Sequence, residues 1–338
     1  MKASVVAAVT LASVAASAFA GLTSVDNAIQ ITNLSFEQDL GSRDVVVNYT
    51  LAGHNAIIRA DILTNGVSIG KQYVKTFTGD YSSAMTEVFE PGPHTFRWKA
   101  RKDWPDQLTG DLQVKLCALY PEEAGKPGVY DEFARAVYAN DFTSANLDGW
   151  TSELNASVGS FLAVQDVQGG KVLVMRNASS VNGSSATMYT PAFEGLSDWR
   201  ISFDLGVYCA DSLDWEQYWT RWGYSISGLD AEGKEVFLLN GTASARGAAV
   251  DSTIGGVTVA GKAVGANTHL TLVRNAAGTI TVFGPNDIVG TTSAAMTNPN
   301  AKITKLKFTI PKQAGSPVVV MYAYLDNLKV EDISAAPF

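Results

Sequence analysis

One stretch of the chain, SLDWEQYWTRWGYSIS at residues 212–227, brings together residue types that could bind a sugar. It holds three of the seven tryptophans, the carboxylates Asp214 and Glu216, and the guanidinium of Arg221. Aromatic rings pack against the C–H faces of a sugar ring, while carboxylate and guanidinium groups bind its hydroxyls. The same residue types also occur at crowded corners of β-sandwiches. The composition of this stretch therefore leaves two interpretations, a ligand surface or structural packing.

Strand alternation divides these aromatic residues into two groups. If residues 221–227 form a strand, Trp222, Tyr224 and Ile226 share one apolar face and are expected in a core. The rings before that strand lie in a stretch without regular alternation, where no sheet face would bury them. One interpretation is a ligand-contact loop, and the alternative is a lid packed over the edge of a sandwich. The candidate ligand-contact residues are Asp214, Trp215, Glu216, Tyr218, Trp219 and Arg221.

Other catalytic and metal-binding patterns are missing from the sequence. The three histidines, His54, His94 and His269, lie far apart along the chain, and a structural role is the better interpretation of each. No His/Cys cluster has zinc-ligand spacing. There is also no G-x-S-x-G elbow, phosphate loop or dinucleotide fingerprint. The sequence therefore predicts no organic cofactor.

Alternation of apolar and polar residues with a period of two dominates the chain. No window shows the sustained 3.6-residue stripe of an amphipathic helix, so the sequence predicts an all-β fold. In the first half, the predicted strands are separated by Gly, Asn, Asp or Pro. About seven strands over residues 21–120 predict a small sandwich. The predicted strands named by position are 28–36, 43–51, 56–63, 94–100 and 112–120.

A connector and a second, larger β region follow. Residues 121–136, PEEAGKPGVYDEFARA, replace alternation with Pro, Gly and charge, which predicts a linker with one short helical turn around DEFARA. Alternation begins again at Val137 and continues to residue 332, with Gly and Asn at the turns. A dozen or so strands over residues 137–332 suit a jelly-roll sandwich. Residues 333–338 are a short C-terminal tail.

Three segments of the second half together resemble a concanavalin A-like, laminin-G-like jelly roll. They are NDFTSANLDGW (140–150), HLTLVRNAAGTITVF (269–283) and AYLDNLKV (323–330). In that family an opening strand carries Asp-Phe and a later Gly-Trp, a hairpin follows, and the closing strand ends in Asp-Asn-apolar. This chain departs from the family where Gly284-Pro285 follows the hairpin. The resemblance implies a sandwich that often binds glycans, although a fold alone does not define a function.

The resemblance also implies a possible structural calcium ion. Such jelly rolls often hold Ca²⁺ with carboxylates and backbone carbonyls where the first and last strands meet. Asp141 and Asp326 lie at those two positions in this sequence. The alternative is that each aspartate only caps a turn.

Glycoside cleavage is the enzymatic alternative that the resemblance raises. Some jelly-roll families cleave with paired carboxylates on one strand, which requires two carboxyl groups about 5–10 Å apart. Residues two apart on a strand share a face at roughly 6.5–7 Å. Asp211, Asp214 and Glu216 form D-S-L-D-W-E, whose spacing does not match the E-x-D-x-E order of that family. The expectation is therefore a protein without catalytic residues.

The first half has a resemblance of its own. The segment WKARKDWPDQ (98–107) and its surroundings are similar to Ig/fibronectin-like modules of exported bacterial proteins. Some of these modules stand beside formylglycine-generating-type domains, but no such catalytic domain is present here. The resemblance implies an Ig/fibronectin-like sandwich over residues 21–120.

Residues 1–20 predict a signal peptide. MKASVVAAVTLASVAASAFA has one early lysine, a run of small and apolar residues, and an Ala-x-Ala end. Cleavage between Ala20 and Gly21 would place the mature protein outside the cell, in a periplasm or at the cell surface. No second apolar run reaches spanning length, so no membrane span is expected.

The net charge of the chain limits the classes of binding partner that are expected. The chain has 25 Lys and Arg against 33 Asp and Glu, a net charge of −8 at pH 7. Nucleic acids and anionic membranes require clustered cations, so neither is an expected partner. A polysaccharide or surface glycan remains the expected partner class.

The two cysteines are not expected to form a disulfide. Alternation in LQVKLCALY (112–120) places Cys117 on the face opposite to the apolar residues. In ISFDLGVYC (201–209), Cys209 is in phase with the apolar residues and points inward. The two thiols also belong to different predicted domains.

The sequence as a whole predicts an exported, two-domain β-sandwich protein for adhesion or glycan binding through its C-terminal jelly roll. A structural protein of the cell envelope without a small ligand is the main alternative, and a glycoside hydrolase is the third.

Overall fold

The computed structural model of the protein describes residues 29–83, 85–107, 109, 111–144, 146–154, 159–178, 185–210, 220–246, 249–260, 265–266, 268–274, 279–290, 295–311 and 320–336. Nearly all of the secondary structure in these residues is β, which confirms the all-β prediction. Among them, no helix has the length and apolar character to cross a membrane. The predicted signal peptide, residues 1–20, lies outside the described residues.

The described chain forms two compact units, each with its own apolar core. The first unit contains residues 29–132 together with residues 335–336, and the second runs from Phe133 to Ser334. The change from one unit to the other falls within the predicted connector, residues 121–136. Two short 3-10 turns occur there, at Pro121–Glu123 and Pro127–Tyr130. No helix forms at DEFARA (131–136), where residues 131–133 make a turn and a strand, Arg135–Asn140, begins two residues before the predicted restart at Val137.

The first unit is a sandwich of two antiparallel sheets. One sheet has the order β1-β2-β6-β5 and the other the order β4-β3-β7. Their facing side chains form a core with Tyr49, Phe96 and Trp98 among its largest members. The elements are β1 (Gln30–Gln38), β2 (Val45–Ala52), β3 (Ile57–Thr64), β4 (Val67–Ser68), β5 (Phe77–Gly79), β6 (Gly92–Trp98), α1 (Ala100–Asp103) and β7 (Leu112–Leu119).

Alternation along β7 follows the prediction, with one difference at Cys117. Val114 and Leu116 point into the core as expected. Cys117 lies on the opposite face but is only 5% exposed, and burial raises the pKa of its thiol to about 12. Cys117 is a free thiol. The side chain of Cys209 is outside the described residues, so the expected absence of a disulfide stays a prediction.

The second unit is a larger sandwich. Its strands are β8 (Arg135–Asn140), β9 (Thr151–Leu154), β10 (Phe161–Val167), β11 (Gly170–Asn177), β12 (Ser185–Tyr189), β13 (Trp199–Ala210), β14 (Thr220–Leu229), β15 (Glu235–Arg246), β16 (Ala249–Ile254), β17 (Val257–Ala260), β18 (Thr268–Arg274), β19 (Ile280–Phe283), β20 (Ala295–Met296), β21 (Lys305–Pro311) and β22 (Val320–Asp332). One sheet has the order β10-β11-β22-β13-β18-β19, with β8 also paired to β22. The other has the order β17-β16-β15-β14-β21-β12-β9, with β20 also paired to β15.

The core of the second unit lies between these two sheets. Phe203 and Leu325 from the first sheet and Tyr224, Ile226 and Phe308 from the second belong to one buried cluster. The inward direction predicted for Tyr224 and Ile226 is thereby confirmed, while the side chain of Trp222 is outside the described residues. Apolar alternation on both sheets thus determines which face of each strand is buried.

Candidate functional site

The ligand-contact residues predicted from the sequence fall outside the described side chains. Residues 211–219 are not among the described residues, and Arg221 lies in β14 without a described side chain. The predicted residues concerned are Asp214, Trp215, Glu216, Tyr218, Trp219 and Arg221. Their role as a ligand surface stays a prediction.

The described chain carries a different group of candidate residues, on the face of the β10–β19 sheet that points away from the core. This face is called the outer face below. In β13, Leu205 and Val207 point into the core, so Asp204, Gly206 and Tyr208 point outward. The same alternation applies to the neighbouring strands β11 and β22.

Four side chains form a continuous row across this outer face, called the aromatic row. Phe161 of β10 stands opposite Arg176 of β11, and Arg176 stands opposite Tyr322 of β22. Tyr322 in turn stands opposite Tyr208 of β13. Because neighbouring strands lie about 4.8 Å apart, the four positions span about 14 Å.

Ring contacts hold the aromatic row together. The guanidinium carbon of Arg176 lies 5.9 Å from the ring centre of Phe161 and 5.8 Å from that of Tyr322. The rings of Tyr208 and Tyr322 are 6.2 Å apart. Tyr324, two residues further along β22, stacks on Tyr322 at 5.9 Å with an interplanar angle of 8°. Cation–π and aromatic contacts of this kind orient side chains that would otherwise rotate freely.

The side chains of the aromatic row are partly exposed to solvent, whereas the neighbouring side chain of Tyr324 is buried. Phe161, Arg176, Tyr208 and Tyr322 are half-buried, but Tyr324 is only 4% exposed. Burial, with a smaller contribution from the neighbouring tyrosines, raises the pKa of Tyr324 to about 12, so its hydroxyl stays protonated at neutral pH. The partly exposed rings and the guanidinium form a surface that a planar or ring-shaped ligand could cover.

A backbone segment crosses the outer face next to the aromatic row. A Cβ atom placed on Gly206 would lie 1.8 Å from the carbonyl oxygen of Gly265, so only glycine fits there. Ala266 packs against the buried cluster of Val172, Val174 and Tyr324 on this face. This crossing separates the aromatic row from a second group of polar residues on the same face.

That second group, the polar cluster, contains Asp204, His269, Asp326 and Asn327. His269 Nδ1 lies 2.7 Å from Asp204 Oδ1, and Asn327 Nδ2 donates to Asp204 Oδ2 at 2.7 Å. Asp204 lies directly opposite His269 on β18 and Asp326 on β22. Tyr208 lies four positions after Asp204 along β13, which places the polar cluster about 13 Å from the aromatic row.

The two carboxylates of the polar cluster differ in proton affinity. Burial alone would raise the pKa of Asp204, but hydrogen bonds from His269 and Asn327 hold that pKa below its ordinary value. Burial raises the pKa of Asp326, and the negative charges of Asp204 and Asp141 raise it further. Asp204 therefore loses its proton at a lower pH than an ordinary aspartate and Asp326 at a higher pH, and a base and an acid in catalysis differ in the same direction.

The two aspartates predicted to hold calcium lie at neighbouring strands, since Asn140, next to Asp141, stands opposite Leu328, two residues after Asp326. Asp141 Oδ1 accepts hydrogen bonds from the backbone N and Oγ1 of Thr143, at 3.1 and 2.9 Å, and Asp326 Oδ1 accepts one from Asn327 N at 2.8 Å. Across the described part of the chain, no group of three or more His, Cys, Asp or Glu side chains is arranged to hold a metal. The calcium ion stays a prediction.

The sequence interpretation missed the outer face because it followed the apolar phase of each strand. The signal lies in the opposite phase: Tyr322, Tyr324 and Asp326 alternate within MYAYLDN, and Asp204 and Tyr208 alternate within FDLGVY. Aromatic and charged residues in the phase that faces solvent are the pattern of a surface rather than of a core.

Comparison with known proteins gives only distant matches. No protein-family model matches the chain, and no curated protein matches it. Among solved structures, a carbohydrate esterase of the Shiga toxin-encoding bacteriophage phi24B is similar over 59% of this chain and 99% of its own, with 14% identity and a TM-score of 0.35. An alginate lyase from Corynebacterium sp. is similar over 58% of this chain and 99% of its own, with 14% identity and a TM-score of 0.34.

A third solved structure, a protein of unknown function with a galectin-like fold from Bacillus subtilis, covers 59% of this chain and 98% of its own. Its identity is 12% and its TM-score is 0.33. At such identities and TM-scores these likenesses are too distant to assign a function or a substrate.

Proposed function

We propose that the second unit binds an extended glycan along the outer face of its β10–β19 sheet. The aromatic row carries this proposal, because it presents partly exposed rings of Phe161, Tyr208 and Tyr322 across four neighbouring strands. A sugar ring that covers such a surface removes apolar C–H area from water. The polar cluster beyond the crossing at Gly265 offers carboxylate, amide and imidazole groups for hydroxyls.

The length of the outer face favours an extended ligand. The aromatic row spans about 14 Å, and the polar cluster lies about 13 Å further along the strands. Open sheet faces bury little of a ligand's area, so the affinity should be weak, about 10–1000 µM or about −4 to −7 kcal/mol.

Trp215 and Trp219, predicted from the sequence as ligand contacts, belong to the same proposal. Tyr208 is two residues from the end of β13, and the chain continues from Ala210 directly into residues 211–219. A Trp219→Ala change is expected to abolish glycan binding and to leave the melting temperature within a few degrees.

The test compares two half-buried tyrosines, one on each sheet of the second unit. Tyr322→Ala should weaken the binding of an array-identified glycan at least tenfold, measured by titration calorimetry, because it removes the central ring of the row. Tyr189→Ala is the control, since Tyr189 is a half-buried tyrosine at the end of β12 in the other sheet. Equal affinities of the wild type and Tyr322→Ala, or no glycan bound on the array, would refute the proposal.

The export and fold assignments are part of the same proposal. A cell-surface or extracellular glycan requires export, and sequencing of secreted protein should begin GLTSV, after cleavage at Ala20. We assign the second unit to the concanavalin A-like jelly rolls. For the first unit, the orders β1-β2-β6-β5 and β4-β3-β7 support an Ig-like sandwich, because they match strands A-B-E-D and C′-C-F of that fold.

Glycoside cleavage is the second candidate function. Asp204 and Asp326 stand opposite each other on β13 and β22, and the pKa of the first is lowered while that of the second is raised. Facing residues on antiparallel strands have Cβ atoms about 5 Å apart, within the range that paired carboxylates use to cleave glycosidic bonds. Cleavage predicts reducing-sugar release that Asp204→Asn and Asp326→Asn abolish. If the wild type releases no reducing sugar from any glycan that it binds, cleavage is refuted and glycan binding remains the only proposed function.

A further inference from the structure

We infer that the glycan bound by the aromatic row is acidic, and that Arg176 pairs with its anionic group. This inference rests on the proposed glycan-binding function and adds the charge of the ligand to it. Both a uronate carboxylate and a sulfate ester present the oxygen geometry that a guanidinium binds through two parallel N–H groups.

Arg176 has few polar partners of its own. Its Nη1 donates to the backbone oxygen of Gly159 at 2.5 Å, while its buried Nε has no hydrogen-bond partner. Within the part of the chain that the structure describes, no carboxylate lies at ion-pair distance from Arg176. A buried N–H without a partner is uncommon in proteins and costs free energy, so the protein itself does not fully satisfy this guanidinium.

Three other cations of the same sheet have carboxylate partners, whereas Arg274 of β18 donates to the backbone oxygens of Ser197 and Pro299. Arg200 Nε lies 2.6 Å from Glu331 Oε2, and Lys329 Nζ lies 2.5 Å from Glu331 Oε1. Arg135 pairs with Asp332 at 3.1 Å. The chain carries 33 Asp and Glu against 25 Lys and Arg, so acidic partners are in excess. Arg176 nevertheless stands between two aromatic rings instead of beside an acid.

The rings beside Arg176 strengthen its attraction for an anion. Phe161 and Tyr322 cover part of the guanidinium on two sides and keep water away from it. A partly desolvated charge interacts more strongly with an opposite charge than a fully hydrated one does. The flanking rings also keep the guanidinium in place, so little conformational entropy is lost when an anion binds.

The experiment uses pairs of glycans that differ only in charge. The probes are oligogalacturonate with its fully methyl-esterified form, and laminarin with its sulfated form, titrated against the full chain. The wild type should bind the acidic member of at least one pair about tenfold to a hundredfold more tightly than the neutral member. The preference should decrease as salt is raised, because salt screens exposed charges.

Two variants identify the side chain whose charge causes the preference for the acidic glycan. Arg176→Gln should reduce the preference to less than about twofold, because it weakens the binding of the acidic member much more than that of the neutral member. Lys329→Gln removes one positive charge from the same sheet, but its lysine already has a carboxylate partner, so the preference should remain. If Arg176→Gln does not fold, judged by its melting transition, Arg176→Lys replaces it and should keep only part of the preference.

The outcomes separate this inference from the function on which it rests. Equal binding of neutral and acidic members by the wild type overturns the inference and leaves glycan binding in place. Loss of preference in both Arg176→Gln and Lys329→Gln also overturns it, because the preference would then come from the overall charge. If neither member of either pair binds and an array of neutral and acidic glycans shows no binding, both the inference and the proposed function fail.

Discussion

At the scale of single residues, His269 and Asp204 change each other's proton affinity. The hydrogen bond to Asp204 raises the pKa of His269 above its ordinary 6.5, and the charges of Asp204 and Asp287 add to this. The charged pair therefore stabilises the fold fully below about pH 6.5, and this contribution is lost as pH rises through the raised pKa of His269. Asp204, whose pKa is lowered, loses its contribution only as pH falls through that lowered value.

This coupling predicts the titration of one imidazole. The His269 resonances in an NMR titration should give a pKa above 6.5, because Asp204 stabilises the protonated ring. In Asp204→Asn the pKa of His269 should move down, since the hydrogen bond and the charge of Asp204 are removed and only the smaller contribution of Asp287 then opposes burial of the ring. Because the imidazole is 54% exposed, the accompanying change in protein stability should be small.

His94 provides the internal control for this titration. Its Nδ1 faces Asp80 and its Nε2 faces the backbone oxygen of Glu90, both in the first unit. Asp204→Asn should leave the His94 resonances unchanged. A His269 pKa that is the same in the wild type and in Asp204→Asn would show that the pair does not form in solution.

At the scale of elements, β13 depends on Gly206. A Cβ atom there would lie 1.8 Å from a backbone oxygen, which no side-chain rotation can relieve. Gly206→Ala should therefore displace the segment at Gly265–Ala266 and lower the free energy of unfolding by about 1–3 kcal/mol. The measurement is chemical denaturation of the full chain, followed by a probe of the second unit.

Gly223→Ala is the matched control for that change. Gly223 also lies inside a strand, β14, but a Cβ atom there would meet its nearest neighbour at 3.6 Å, an ordinary contact. Since alanine is no worse than glycine in a strand, this variant should unfold like the wild type within about 0.5 kcal/mol. Equal stability of both variants would mean that the segment at Gly265 does not cross β13 in solution.

The phase of the strands could be predicted from the sequence, but their neighbours could not. Ile201, Phe203 and Leu205 are buried as the alternation in β13 indicated. The same alternation places Asp204 and Tyr208 on the opposite face without showing what stands beside them. The aromatic row depends on β22 pairing with β11 and with β13, which lie far from it along the chain. Pairing between such distant segments is set by the whole sandwich, because alternation alone allows many registers.

Local composition also predicted burial only in part. Tyr224 and Ile226, in the stretch with three tryptophans, are buried as strand alternation predicted. Cys117, in contrast, occupies the outward phase of β7 and is still buried. Alternation within one strand shows which of its side chains face the core. It cannot show which other segments of the chain cover the outward face of that strand.

At the scale of the whole molecule, the two cores have no member in common. The core of the first unit contains residues such as Tyr49 and Trp98, and that of the second contains residues such as Phe203 and Phe308. Each core consists of the facing sides of its own two sheets. Units that bury separate apolar cores are expected to unfold as separate cooperative transitions.

Substitution of Asp103 is expected to change the stability of the first unit alone. Its Oδ2 accepts hydrogen bonds from the backbone N of Lys75 at 2.9 Å, the backbone N of Thr76 at 2.6 Å and Trp98 Nε1 at 3.1 Å. Its Oδ1 accepts a further bond from Thr76 Oγ1 at 2.8 Å. An asparagine at this position could keep its oxygen on the three N–H donors and place its NH₂ on the hydroxyl oxygen of Thr76, but it would lose the negative charge that strengthens these bonds.

Differential scanning calorimetry of the full chain should therefore show two transitions that respond to different variants. Asp103→Asn should lower the transition of the first unit by several degrees, since hydrogen bonds to a charged acceptor are about twice as strong as those to a neutral one and the loss over three N–H donors is about 1–3 kcal/mol. It should leave the second transition unchanged, whereas Gly206→Ala should lower only that one. Asp106→Asn is the control for charge, because Asp106 is exposed and its φ of 58° suits asparagine. A single transition lowered by both Asp103→Asn and Gly206→Ala would mean that the two cores unfold together as one cooperative structure.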